Sequence, residues 1–263
     1  MHALIEDLRD GDSSVREQAA FALAEAGPAA EPAVPALIGA LRDEDRSVRL
    51  WAAAALGQIG PGAEEAVPAL AEALHDEEYR VRESVAASLA WMGAAAEPAV
   101  PALIGALKDE QWRVRECAAR ALGAVGPGAE PAVPALVEAL GDEERPVREA
   151  AAGALGEIGP GAERAVPELV RALGSGEKHM RRIAAWALGG IEVGSEAAVN
   201  ALAEALGDED VYVRRNAAQA LGELGPEAGA AVPALEKLLR DSDEVLRARL
   251  APHALKRIRG AGR

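Results

Sequence analysis

The chain has 263 residues, half of them hydrophobic but only 3% aromatic, and carries a formal charge of −15 at pH 7. That charge argues against non-specific binding of nucleic acid or of an anionic membrane by the molecule as a whole. Cys117 is the single cysteine, so the chain holds no internal disulfide framework and fits a reducing compartment.

Met1 to Asp10 contains Glu6, Asp7 and Asp10 and lacks a basic n-region, so no signal peptide is expected. No apolar run approaches the length of a membrane span, and the expectation is a soluble, cytoplasmic protein without a membrane partner. The chain then repeats itself every 33 residues. Val-Pro-Ala-Leu at Val34 returns at Val67, Val100, Val133 and Val232, and nearly so at Val166 and Val199. Val-Arg at Val48 returns at Val81, Val114, Val147 and Val213. Eight units tile the chain: 1–32, 33–65, 66–98, 99–131, 132–164, 165–197, 198–230 and 231–263. Such a period marks a single array, here 1–263, with its first and last units as caps.

In unit one the chain begins directly at a helix, with His2 where later units have proline and with Asp7 and Gln18 at polar positions, as suits a water-facing end. Unit two shows the template. Val34, Leu37, Ile38 and Leu41 predict a short first helix, with Pro35 in its first turn, where a missing N–H does least harm. Asp43-Glu44-Asp45 predicts a turn and places acid at the start of a second helix. Val48, Ala52, Ala55, Leu56 and Ile59 are the apolar stripe of that helix, and Gly60-Pro61-Gly62 stops it, with glycine in a left-handed cap. Unit six departs furthest: Gly174-Ser175-Gly176 replaces the acidic turn, Met180 replaces Val, and Gly189 to Gly194 replaces the usual stop. Asn200 then stands in place of proline. Drift or a local hinge would explain this stretch. Unit eight carries Pro252 inside its second helix, which should bend or shorten it, and a basic end with Lys256, Arg257, Arg259 and Arg263. No window alternates as a strand would, so none is expected.

Pro35, Asp43, Val48 and Arg49 match the pattern Pro-x7-Asp-x4-Val-Arg. In this the chain resembles HEAT repeats, most nearly the short bacterial subtype named after phycobilin lyases. The resemblance implies an all-α, right-handed solenoid, a superhelix of eight two-helix repeats whose second helices line a concave face.

Aspartate recurs at Asp10, Asp43, Asp76, Asp109, Asp142, Asp208 and Asp241, and arginine stands six residues later in every unit: Arg16, Arg49, Arg82, Arg115, Arg148, Arg181, Arg214 and Arg247. Alone, the arginines resemble a phosphate-binding ladder. Paired with their aspartates they form a structural one, tying each turn to its neighbour as the resemblance implies. In this pairing only Arg181 lacks its own aspartate, because Ser175 holds that place.

The positions the repeat leaves free carry the functional signal. In unit two they are Arg46, Ser47, Leu50, Trp51, Ala54 and Gln58, an arc of about 140° opposite the apolar stripe. All seven aromatics of the chain fall on it: Phe21, Trp51, Tyr79, Trp91, Trp112, Trp186 and Tyr212. Framework positions closed to bulky residues account for part of this, yet the free positions of first helices and loops hold no aromatic. Arg46, Arg80, Arg113, Arg120, Arg145, Lys178, Arg182 and Arg215 share the arc, mixed with Glu83, Glu116 and Glu149. Trp, Tyr and Arg dominate binding hot spots, and the densest stretch runs through units three to six.

Catalytic signals are poor. His2, His75, His179 and His253 stand far apart, and none sits in the His-Glu pair of the HEAT-like iron hydroxylases. His179 shares the groove arc, but no Cys or second His lies at metal-ligand spacing. Cys117, beside Trp112 and Arg113, has no evident base. No phosphate loop is present, and neither a metal nor a cofactor is expected. The leading expectation is therefore a non-enzymatic scaffold or adaptor, natural or engineered, that holds a protein or peptide in the concave groove. The alternatives drawn from the resemblance are an enzyme or subunit of bilin-lyase type, cradling a tetrapyrrole, and a HEAT-like DNA glycosylase. Net charge disfavours the second.

Overall fold

The computed structural model describes residues 1–260; Arg263, assigned above to the basic end, lies outside them. Each repeat is a helix pair. The first holds α1 (His2–Asp7) and α2 (Ser13–Ala26), and the second α3 (Val34–Ala40) and α4 (Arg46–Ile59). The third holds α5 (Val67–Ala73) and α6 (Tyr79–Met92), and the fourth α7 (Val100–Ala106) and α8 (Trp112–Val125). The fifth holds α9 (Val133–Ala139) and α10 (Arg145–Ile158), and the sixth α11 (Val166–Leu173) and α12 (Lys178–Ile191). The seventh holds α13 (Glu196–Ala205) and α14 (Val211–Leu224), and the eighth α15 (Val232–Leu238) and α16 (Ala251–Ile258). No strand occurs among the described residues. The fold is an α-solenoid.

Local chemistry sets the ends of these helices. Pro35 lies in the first turn of α3, where its missing N–H costs nothing. The Asp45 carboxylate caps α4 by accepting from the Ser47 amide at 2.8 Å. Gly60 ends α4 with φ 71° and ψ −139°. That is not the left-handed helical cap expected from the sequence but a region essentially reserved for glycine. Beyond it the chain does not form an open loop. Gly60–Ala66 winds as a 3-10 helix straight into α5, and equivalent segments follow most of the other second helices.

The same geometry corrects one expectation. The continuous helical stretch Tyr79–Ala106 does contain an apolar window as long as a membrane span. It is α6, a 3-10 turn and α7, redirected at Gly93, whose φ is 58°.

By its internal contacts the chain falls into two compact units, Met1–Ala135 and Leu136–Arg263, and the division lies inside α9. In the first unit α2, α4, α6 and α8 pack side by side, each against the first helix of its own repeat. Leu37, Leu70 and Leu103 from the first helices and Val48, Leu56, Leu89 and Leu122 from the second are fully buried. The Ser84 and Ser88 hydroxyls donate to the Leu50 and Ala53 carbonyls of the preceding repeat at 3.2 and 2.7 Å. In the second unit α10, α12, α14 and α16 pack side by side, and α12, α14 and α16 also pack each against the first helix of its own repeat. Asn216 donates to the Arg182 carbonyl at 2.8 Å.

The Asp–Arg ladder is built differently from its sequence pairing. The Nη1 of Arg49 turns back to the main-chain carbonyl of Asp43, 2.9 Å away, while its Nε and Nη2 grip the carboxylate of Asp76 in the next repeat at 2.7 and 3.0 Å. Arg16–Asp43, Arg82–Asp109 and Arg181–Asp208 repeat this bidentate pairing, with Nε bonds of 2.6 to 2.7 Å. Arg115 and Arg148 likewise donate to the Asp109 and Asp142 carbonyls at 2.9 and 2.7 Å. Arg214 reaches Asp241 with Nη2 alone, at 3.2 Å, and its Nε is without an acceptor. The side-chain partner is thus the next repeat's aspartate, and Arg181 has one. Ser175 instead deprives Arg148, which takes the half-exposed Glu177 at 2.9 Å.

Repeat six owes Gly189 and Gly190 to close packing. Gly189 and Gly190 lie inside α12, and a Cβ on Gly190 would stand 2.5 Å from the Gly156 carbonyl oxygen of α10. The irregularity begins after them, at Glu192 in the left-handed region, and Ser195 caps α13. On helix propensity alone Gly190→Ala would stabilise by up to about 1 kcal/mol. The backbone contact reverses the sign, and denaturant unfolding is expected to show a loss of roughly 1–3 kcal/mol. A more stable variant would refute the packing role.

Pro252 goes with a shortened final α-helix, as its place in the sequence suggests: α16 has 8 residues against 14 in α14. Residues Leu246–Leu250 form one π turn, closed by the Ala251 amide on the Leu246 carbonyl, and Pro252 sits in the first turn of α16.

Candidate binding surface

The free arc of the second helices is where the structure leaves large side chains uncovered. In the unit Met1–Ala135, Phe21 on α2 meets Trp51 on α4 edge to face, ring centroids 4.7 Å apart. Tyr79 is half-buried at the start of α6, with the Arg80 guanidinium 6.0 Å from its ring centre and Arg80 Nε donating to its hydroxyl at 3.3 Å. Trp112 opens α8, half-buried, with Arg113 5.2 Å from its ring. Trp91, near the end of α6, is 69% exposed.

In the unit Leu136–Arg263, the exposed Trp186 of α12 lays its ring over Gly156, where a Cβ would come within 2.8 Å of it. Tyr212, at the start of α14, lies between two guanidiniums, with Arg182 at 4.6 Å and Arg215 at 5.5 Å from its ring. Each of these arginines is also held by an aspartate: Arg182 by Asp210, through Nε at 2.7 Å, and Arg215 by Asp243. Arg182 and the Val213 and Tyr212 amides hold the Asp210 carboxyl far below the usual carboxylate range. Arginine followed 28 residues later by aspartate was the available sequence signal for this second ladder, but with two rungs it stood out from no pattern.

Most groove cations are therefore engaged. Arg46 meets Glu78 at 3.2 Å, Arg113 meets Glu83 at 3.9 Å, Arg120 meets Glu116 at 2.7 Å, and Arg145 lies 3.3 Å from Glu149. Among the described residues Arg80 is the groove arginine that meets an aromatic ring and hydroxyl rather than a carboxylate. The surface is aromatic and charge-balanced.

Cys117 is the free thiol of this surface. Burial, then Glu116 and Glu83, push the Cys117 thiol up to about 11. At neutral pH it is a thiol and a poor nucleophile. Iodoacetamide labelling of the folded protein should be slow at pH 7 and still rising at pH 10. A rate already at plateau by pH 8 would show an activated cysteine. His179 is half-buried on α12, His75 and His253 are exposed, and His2 lies 3.5 Å from Glu6. Among the described residues no group of three His, Cys, Asp or Glu side chains is placed to hold a metal.

Comparison with known proteins gives the family context. The pattern described as HEAT repeats matches residues 1–90, 86–156, 128–189 and 166–255. An engineered protein of known structure is 28% identical, with 97% of this chain and 77% of that one covered, at a TM-score of 0.71. The CpcE–CpcF complex of phycocyanin lyase from Nostoc sp. PCC7120 is also 28% identical, covering 97% of this chain and 93% of that one at a TM-score of 0.53. Escherichia coli YibA, 24% identical over 97% of this chain and 92% of that one with a TM-score of 0.64, shares the fold. No curated protein matches the chain.

Proposed function

Because the chain belongs to the HEAT-repeat family, we propose that it works as a scaffold that binds a protein or peptide along the free face of its second helices, without catalysis of its own. One observation carries this reading. All seven aromatics stand on that face, and Phe21, Trp91, Trp186 and Tyr212 are each at least 40% exposed there. A fold does not need exposed tryptophan, whereas binding hot spots are rich in it.

The charge balance selects the partner class. Acidic turns such as Glu44, Glu77, Glu110 and Glu209 are exposed, and a nucleic-acid backbone would meet them as well as arginines already paired with carboxylates. A polypeptide with apolar anchors and a few acidic groups suits the surface better. A protonated Cys117 suits a reducing, cytoplasmic setting.

Selection of a displayed peptide library on the immobilised chain tests the proposal. Peptides enriched on the native protein should be lost on Trp112→Ala or Trp186→Ala. No enrichment, or enrichment indifferent to both tryptophans, would reject it.

The likeness to a phycocyanin lyase complex favours a second reading, in which the same face cradles a tetrapyrrole against its aromatics and arginines. Mixing with free bilin and finding no shifted absorption band would remove it.

A further inference from the structure

Part of the proposed groove is a polar recess. A cavity of about 350 Å³ opens between the starts of α4 and α6, lined by Arg46, Ser47, Leu50, Glu78, Tyr79, Arg80 and Val81. Arg46, Ser47, Tyr79 and Arg80 bring hydrogen-bond donors to this lining, and Leu50 and Val81 bring apolar surface. Arg46 shares its charge with Glu78 at 3.2 Å, whereas Arg80 touches only the hydroxyl and ring of Tyr79 among the described residues. Among the lining residues two positive charges stand against one negative; Glu83 also acts on Arg80 but lies 3.9 Å from Arg113, with which it shares its charge, so the recess has room for a single further anion.

We propose that this recess is the subsite for an acidic side chain of the bound polypeptide, a glutamate whose carboxylate sits between Arg46 and Arg80 and whose methylenes lie on Leu50 and Val81. This rests on the peptide-binding reading above and adds the chemistry that reading lacks, a charged anchor beside the aromatic ones. A carboxylate fits better than a phosphate monoester, because a dianion would exceed the one uncompensated charge and be repelled by Glu78. An aspartate would reach the arginines only by drawing its backbone off this apolar surface. Arg80 supplies the contact that decides affinity, since it gives up no carboxylate to make it. Arg46 must share its guanidinium with Glu78.

The probe is N-acetyl-L-glutamate amide, titrated into the full chain and followed by amide chemical shifts, with N-acetyl-L-glutamine amide and inorganic phosphate as the other arms. Saturable shifts are expected at Ser47, Tyr79 and Arg80, with the glutamine analogue at least fivefold weaker. Arg80→Ala should weaken glutamate binding roughly threefold to fivefold and Arg46→Ala less, in keeping with solvent-exposed ion pairs. The variant spectra themselves report whether the fold persists, and both residues are exposed, so little change is expected there. Equal binding of the two amides, binding indifferent to both arginines, or tighter binding of phosphate would each overturn the assignment. Because the probe is a single residue without apolar anchors, failure here leaves the tryptophan test of the groove standing. Failure of the tryptophan test leaves this titration equally readable.

Discussion

Arg82→Ala should cost the fold about 2 kcal/mol, measured by denaturant unfolding at neutral pH. The guanidinium is nearly buried, makes two bonds to Asp109 at 2.6 and 2.9 Å and a third to the Asp76 carbonyl at 2.8 Å, and its loss strands a carboxylate that is itself only 11% exposed. Contact with solvent at the edge of the pair keeps the figure below that of a fully buried ion pair. Arg82→Lys should recover less than half, because an ammonium cannot make the planar two-pronged contact. Arg148→Ala is the internal control. Its carboxylate partner Glu177 is half-exposed, so the loss should stay under about 1 kcal/mol.

The effect carries a pH signature of fixed sign. Burial alone would raise the Asp109 carboxyl, but Arg82 and the Gln111 amide outweigh it and hold the group below the ordinary carboxylate value. The stability it contributes is present above that ordinary value and lost as pH falls through the lower, folded one. The difference between native protein and Arg82→Ala should therefore shrink on acidification below the carboxylate range. A cost that is equal for Arg82 and Arg148, or that is independent of pH, would mean the rungs do not hold the repeats together.

That ladder also marks where sequence reading reached its limit. A period of 33 residues shows which residue types recur, and with them the helix pairs, the buried leucines and the stripe of each second helix. It cannot choose between partners in different repeats. An aspartate six residues before an arginine and one 27 residues after it occupy the same position of neighbouring repeats. Only the folded structure shows that the carbonyl of the first and the carboxylate of the second are both used. The same degeneracy misplaced the broken rung, which belongs to Arg148 rather than Arg181. Gly189 and Gly190 read as a replacement for the usual stop because what they avoid, Ala220 and Glu223 of α14 for the first and the Gly156 backbone of α10 for the second, comes from neighbouring repeats. The recess at Arg46 and Arg80 is likewise formed between two repeats, and neither repeat contains it. What was legible at the surface was the sorting of aromatics onto one arc, because each position of a 33-residue frame keeps its face.

Trp112→Ala and Trp186→Ala should each reduce affinity for a selected peptide ligand by roughly 2 kcal/mol or more while leaving the fold intact. Both side chains stand on the free arc, and neither contributes to the fully buried set that holds its own unit together. Trp112 lies half-buried under Arg113, a ready-made flat platform for an apolar anchor. Trp186 is 40% exposed with its ring over Gly156, so truncation to alanine removes surface without opening a core cavity. Trp91 is 69% exposed, and hot spots favour partly enclosed side chains, so it should matter less, by about 1 kcal/mol. Binding should weaken only modestly with added salt, because the groove arginines already pair with carboxylates and displace few counterions from a ligand. Tight binding of DNA or RNA that falls steeply with salt and ignores both tryptophans would place the functional surface elsewhere on the molecule.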